Sequence, residues 1–139
     1  ERVGRILAID YGTKRTGLAV SDPLRIIAGA LETVDTTSLE HYIADYCAAN
    51  EVDTIVLGKP SQMNGTPSET MRFIEPLARR LRDRFPDKEV VLYDERFTSV
   101  IAQRTIRESG LGRMARRDKA LVDKVAATVI LQSYMDSRK

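Results

Sequence analysis

Residues 3–34, VGRILAIDYGTKRTGLAVSDPLRIIAGALETV, decide the fold. They hold three apolar runs, Val3 to Asp10 (with Ile6-Leu7-Ala8-Ile9 at its centre), Arg15 to Ser21 and Ile27 to Val34, separated by turn formers at Gly12 and Pro23. Short runs of this kind bounded by Gly and Pro read as strands, here three in succession, a meander. From Ser38 the period changes. Leu39, Tyr42, Ile43, Tyr46 and Cys47 fall at i, i+3, i+4, i+7 and i+8, one face of a helix. Val52 to Gly58 is again a short apolar strand. Ser68 to Phe85 recovers helical spacing through Met71, Ile74, Leu77, Ala78 and Leu81, and Pro86-Asp87 stops it. Glu89 to Tyr93 contains Val90-Val91-Leu92-Tyr93, a run without alternation that fits a strand covered on both faces. Two more helices are expected at 98–109 and 118–137. Strands followed by alternating helices and strands imply an α/β fold, one mixed sheet with helices packed on both sides.

The chain has 139 residues, 42% of them hydrophobic, which fits a single domain spanning 1–139 with a real core. One cysteine, Cys47, makes no disulfide within the chain, and no apolar run approaches the roughly 20 residues of a membrane span. Val3 to Ile9 lacks the length and flanks of a signal peptide, so a cytoplasmic location is expected. The net charge of +2 is the sum of 22 basic and 20 acidic residues and does not by itself diagnose a nucleic-acid partner. Its distribution says more. Between Arg104 and Lys119 six basic residues (Arg104, Arg107, Arg113, Arg116, Arg117, Lys119) meet two acids, Glu108 and Asp118.

Three carboxylates carry the chemistry. Asp10 ends the first buried run, where α/β folds place ligands. Glu95 stands in the same relation to Val90–Tyr93. Asp123 lies on the last helix, and at 100° per residue Ala126, Ala127, Ile130 and Tyr134 share its side, while Lys124, Thr128 and Gln132 take the polar side. An inward carboxylate without a partner costs several kcal/mol or protonates, so it calls for a cation. Taken singly, each acid is more economically a turn former or, for Asp123, a residue near the positive end of a helix dipole. Together the three are hard oxygen ligands suited to Mg²⁺ or Mn²⁺ and not to zinc. Asp22 or Asp94 could complete the set. No competing Cys/His cluster exists, and His41, the only histidine, lies off the apolar stripe of its helix.

Four segments carry a family likeness: Ala8-Ile9-Asp10-Tyr11-Gly12-Thr13-Lys14-Arg15-Thr16-Gly17-Leu18-Ala19; Gly58-Lys59-Pro60 with Met63-Asn64-Gly65-Thr66; Asp94-Glu95-Arg96-Phe97-Thr98-Ser99; and Val122-Asp123 ahead of Ala126-Ala127 and Leu131-Gln132. In this the chain resembles the YqgF/RuvX family of RNase H-like nucleases over nearly its whole length. The resemblance implies an RNase H-like fold with strand order 3-2-1-4-5. It also implies an acidic triad at Asp10, Glu95 and Asp123. The roles it implies are 5′-end maturation of pre-16S ribosomal RNA or resolution of Holliday junctions. Gly58-Lys59-Pro60-Ser61 is more polar than is usual in the family, and Phe97 and Ser99 replace Leu and Thr; neither departure touches the triad.

In such a site Asp10 bridges two metal ions roughly 3.5–4 Å apart, with Glu95 and Asp123 each holding one side. Gly12-Thr13-Lys14-Arg15 offers backbone N–H groups, a hydroxyl and two cations beside Asp10, which suits a phosphate, although a plain hairpin tip would look the same. Asn64 and Arg96 join the substrate contacts through the resemblance alone. Arg113, Arg116 and Arg117, following Gly110 and Gly112, make either a clamp on the phosphate backbone or a solvated loop. A sugar-kinase-like phosphotransferase, which Asp10-Tyr11-Gly12-Thr13 also suggests, needs a second related domain for which there is no room. A non-catalytic RNA-binding module is disfavoured by the intact triad. The expected partner is nucleic acid, structured or single-stranded RNA or branched DNA, with no membrane. The apolar stripes at 39–47, 71–81 and 121–134 are all needed to cover the sheet, so a monomer or weak dimer is expected.

Overall fold

The computed structural model of the chain describes residues 4–59, 71–94 and 119–137, and the side chains of all of these except 59, 71 and 119–124. The elements are β1 (Arg5–Asp10), β2 (Arg15–Ser21), β3 (Ala28–Asp35), α1 (Leu39–Ala49), β4 (Val52–Lys59), α2 (Met71–Arg84), β5 (Glu89–Asp94) and α3 (Lys119–Ser137), with a 3-10 turn at Thr36–Ser38 leading into α1. The expected helix at 98–109 lies outside the described residues. The five strands form one sheet in the order β3-β2-β1-β4-β5. β1 pairs antiparallel with β2, and β2 with β3; β1 pairs parallel with β4, and β4 with β5.

The unbroken apolar run of β1 is explained by cover on both faces. Leu7 and Ile9 join Leu18, Ile55 and Leu57 on one face, under Leu39 and Ile43 of α1 and Ile74, Leu77, Ala78 and Leu81 of α2. Ile6 and Ala8 join Ala19 and Val56 on the other, under Ala127, Ile130, Leu131, Tyr134 and Met135 of α3. Leu7, Ile9, Leu18, Ile55 and Leu57 are fully buried, each contributing about 1.5–3 kcal/mol relative to exposure. The helical stripes therefore fall where the spacing put them.

One boundary is corrected. The third strand begins at Ala28, not Ile27, because the Asp22 carboxylate accepts hydrogen bonds from the backbone N–H of Ile26 (2.7 Å) and Ile27 (2.8 Å) and gathers 22–27 into a loop. Within it Arg25 adopts a left-handed backbone (φ 59°), held by its Nε on the Gly4 carbonyl (3.1 Å) and its guanidinium on Asp53. The helical stripes are consumed by the sheet, but this loop leaves Leu24, Ile26 and Ile27 about two-thirds exposed, so the surface is not free of large apolar side chains. β5 is the edge strand that the expected order 3-2-1-4-5 implies, and it is covered on both faces as expected. Val90 and Leu92 pack toward α2 and Val91 and Tyr93 toward α3, with Val90 buried and the other three half-buried.

Candidate active site

Because β1, β4 and β5 are parallel, their C-terminal ends meet at one edge of the sheet, where Asp10, Lys59 and Asp94 stand; Lys59 and Asp94 are register partners. Asp10 has the parity of Ile6 and Ala8, so the pleat directs its half-buried side chain to the α3 face. Asp123 is four residues, about one turn, before Ala127, which packs in the same cluster as Ala8. The strand end and the helix that carry two of the three acids thus share one face. Glu95 directly follows the last residue of β5 and lies outside the described residues, as do Asn64, Arg96, Arg113, Arg116 and Arg117. No group of three metal-ligating side chains assembles among the described residues. Of the three expected ligands Asp10 is the one whose side chain is described, and its carboxylate is a hard oxygen donor of the kind Mg²⁺ or Mn²⁺ would take.

The segment after Asp10 is held from below. Thr16, fully buried at the start of β2, shares a hydroxyl hydrogen bond with Thr36 (2.9 Å), and the Thr36 hydroxyl donates to the Gly12 carbonyl (2.5 Å). Thr36 also donates its backbone N–H to the Lys14 carbonyl (3.0 Å). A Cβ at Gly12 would sit 2.3 Å from the Arg15 carbonyl oxygen, so the hairpin closes only around glycine. Thr13 and Lys14 are exposed at its tip and Arg15 is half-buried. The Thr16–Thr36 link spans 20 residues of sequence and has no local signature.

Of the two candidates for a fourth carboxylate, Asp94 stands at the same edge as Asp10 and Asp22 does not. β2 runs antiparallel to β1, with Leu7 opposite Val20 and Asp10 opposite Gly17, which puts Asp22 at the far end. There it makes a turn, and the N–H groups of Ile27 and Ile26 hold its carboxyl below the usual 3.8. His41 is exposed and meets Asp45 one turn away at 3.2 Å. Burial pushes the Cys47 thiol up, which keeps it protonated and leaves it packed against the α1–α2 core, not acting as a nucleophile.

Two further relationships were not legible in the sequence. The Tyr11 ring, packed against the α1–α2 side of the core, meets Phe73 of α2 (centroids 6.5 Å apart, planes at 27°), and the Arg72 guanidinium lies 5.0 Å from the Phe73 centroid. On the other face Tyr93 shares a 2.6 Å hydroxyl hydrogen bond with Ser133 and packs edge-on against Tyr134.

A meander followed by two parallel strands, helices on both faces and an aspartate at the end of the central strand define an RNase H-like fold. The architecture is shared with solved resolvases at low sequence identity. The fowlpox virus Holliday junction resolvase superposes with a TM-score of 0.58 at 16% identity, over 97% of this chain and 99% of that one. RuvC of T. thermophilus, solved with a Holliday junction substrate, gives 0.58 at 13% identity over 96% and 97%. The chain belongs to the RuvX family, whose model, described as a Holliday junction resolvase, matches residues 4–137. The "Putative pre-16S rRNA nuclease" of Porphyromonas gingivalis is 56% identical over 97% of this chain and 98% of its own length. The protein of the same name from Bacteroides thetaiotaomicron is 52% identical over 99% of both.

Proposed function

We propose that the chain is a divalent-metal-dependent nuclease that hydrolyses phosphodiester bonds of RNA in the 5′-end maturation of pre-16S ribosomal RNA. The observation that carries the reading is Asp10, at the C-terminal edge of the central strand on the face covered by the helix that bears Asp123. The shared name of relatives at 56% and 52% identity supports the RNA substrate.

Asp10, Glu95 and Asp123 would hold Mg²⁺ or Mn²⁺, which supplies an activated water and stabilises the leaving oxygen. The residues of the chain do the positioning. Asp10 is held at a strand end whose backbone is fixed on both sides by pairing with β2 and β4. The loop at Gly12–Arg15, closed by Thr16 and Thr36, presents Thr13 and Lys14 to a phosphate at that edge. Arg113, Arg116 and Arg117 extend the phosphate contacts, and Asn64 and Arg96 contact the substrate. Among the described residues no helix is long and apolar enough to cross a membrane, and a cytoplasmic monomer or weak dimer fits the reading.

The test is cleavage of a pre-16S 5′ leader with and without divalent ions. Asp10→Asn should leave the fold intact and lower turnover by more than the ~10–100-fold that losing an outer-shell partner of a metal costs. A variant that cuts as fast as the parent overturns the site. The runner-up, Holliday junction resolution, is favoured by the description of the family and by the resolvase fold. Paired cuts in a four-way junction would promote it.

A further inference from the structure

We infer that Tyr11, Phe73 and Arg72 form a stacking site for one unpaired nucleobase at the same edge of the sheet as Asp10. The inference rests on the reading of the chain as a nucleic-acid enzyme and adds how the strand is gripped.

Tyr11 follows Asp10 directly, so the two Cα atoms are about 3.8 Å apart. Alternation sends Asp10 to the α3 face, and Tyr11 packs with the α1–α2 core. The Tyr11–Phe73 contact brings the first turn of α2 to this edge. Phe73 is 39% exposed, whereas Ile74, its neighbour on the buried stripe, is fully covered. An aromatic ring left at the rim is more often a loose end of the core than a binding face. Two features favour the binding face. The rings are near parallel at 27°, so both planes are aligned for a third planar group. A guanidinium also sits 5.0 Å from the Phe73 centroid, within cation–π range, and brings a positive charge to the place where a phosphate would accompany the base. Ring faces with an adjacent arginine are the means by which proteins hold unpaired bases irrespective of sequence. A base in a duplex, stacked and paired, does not reach such a site.

The test separates stacking from charge. A short fluorescein-labelled oligouridylate and a blunt RNA duplex of matched length are titrated, in EDTA and at several salt concentrations, with the parent, Phe73→Ala, Tyr11→Leu and Arg72→Ala. Tyr11→Leu keeps apolar packing while removing a planar face. Phe73→Ala should weaken single-strand binding about tenfold with an unchanged slope of log K against log salt, and leave duplex binding alone. Arg72→Ala should lower the slope by about 0.7. The chain contains no tryptophan, so Phe73→Trp supplies a single reporter whose fluorescence should be quenched by the oligouridylate and not by the same chain with abasic sugars. A parent that binds single strands while Phe73→Ala and Tyr11→Leu bind equally well overturns the stacking site alone. A parent that binds no RNA either in EDTA or with Mg²⁺ restored overturns the nuclease reading together with it.

Discussion

The Tyr93 hydroxyl and the Ser133 hydroxyl, 40 residues apart in sequence, share a 2.6 Å hydrogen bond that ties edge strand β5 to helix α3. Each partner leads to a proposed ligand. Tyr93 is two residues before Glu95, and Ser133 is on the helix that bears Asp123. The Tyr93 ring adds an edge-on contact to Tyr134, with centroids 5.9 Å apart and planes at 88°. Tyr93→Phe keeps the ring and removes the bond, which should cost about 0.5–1.5 kcal/mol in urea unfolding. Ser133→Ala should cost a similar amount, and the double variant little more than either, because both remove one bond. Fully additive losses would mean that the hydroxyls act independently. If the clamp positions the two acids, turnover should fall in Tyr93→Phe with the KM for RNA unchanged.

A second expectation follows from the closeness of Gly12 to Arg15. Adding a methyl group at residue 12 places it 2.3 Å from a backbone oxygen, a distance no side-chain rotation relieves. Gly12→Ala should therefore force the hairpin open, release the Thr36 hydroxyl from the Gly12 carbonyl, and destabilise the protein by about 2 kcal/mol or more. Thr36→Val, which deletes the hydroxyl without the clash, should cost only about 1 kcal/mol. Thermal unfolding of the two variants checks the order, and a Gly12→Ala protein as stable as the parent would show that the loop relaxes freely.

How much of this was legible in the sequence depended on the range of the interaction. The strands β1 and β2 and the stripes of α1, α2 and α3 follow from local periodicity, because burial on a fixed face imposes a repeat. Ile27 was misplaced because a single side chain, that of Asp22, captures two N–H groups that a strand would otherwise use. Asp10 and Asp22 look alike locally, each an acid at the end of an apolar run, and only the antiparallel pairing of β1 with β2 sends them to opposite ends. The spacing also carries α2 straight through Pro76, where the missing N–H leaves one helical bond unmade and burial of the stripe outweighs that loss. The Thr16–Thr36 and Tyr93–Ser133 bonds join distant segments and have no local pattern at all.

Asp22 also yields a pH dependence. The N–H groups of Ile27 and Ile26 favour its ionised form, so its folded pKa lies below 3.8. A depressed carboxyl contributes stability in full above the unfolded value and loses it as pH falls through the folded one. Asp22→Asn keeps an acceptor oxygen for the loop and removes the titration. Below about pH 4, unfolding free energy should fall less steeply with acidification in the variant than in the parent. Equal acid slopes would show that the loop does not sense the charge.

The last prediction concerns substrate class. A Holliday junction has two-fold symmetry, and paired cuts call for a protein with the same symmetry and two sites. The helical stripes of this chain are spent on its own sheet, and among the described residues the large apolar side chains left out are Leu24, Ile26 and Ile27 at one loop, with Phe73 at the edge near Asp10. Three side chains fall short of the roughly 800 Å² per partner that a stable interface buries. The loop also lies at the opposite end of the sheet from Asp10, so a contact there would not bring two sites together. The expected solution mass by light scattering is that of a monomer, 15.6 kDa, at micromolar concentration. Under identical Mg²⁺, the pre-16S 5′ leader should be cut in preference to a four-way DNA junction, since one site suffices for a flexible strand. A stable dimer that makes symmetric paired cuts in the junction and ignores the leader would reverse the preference and make junction resolution the function.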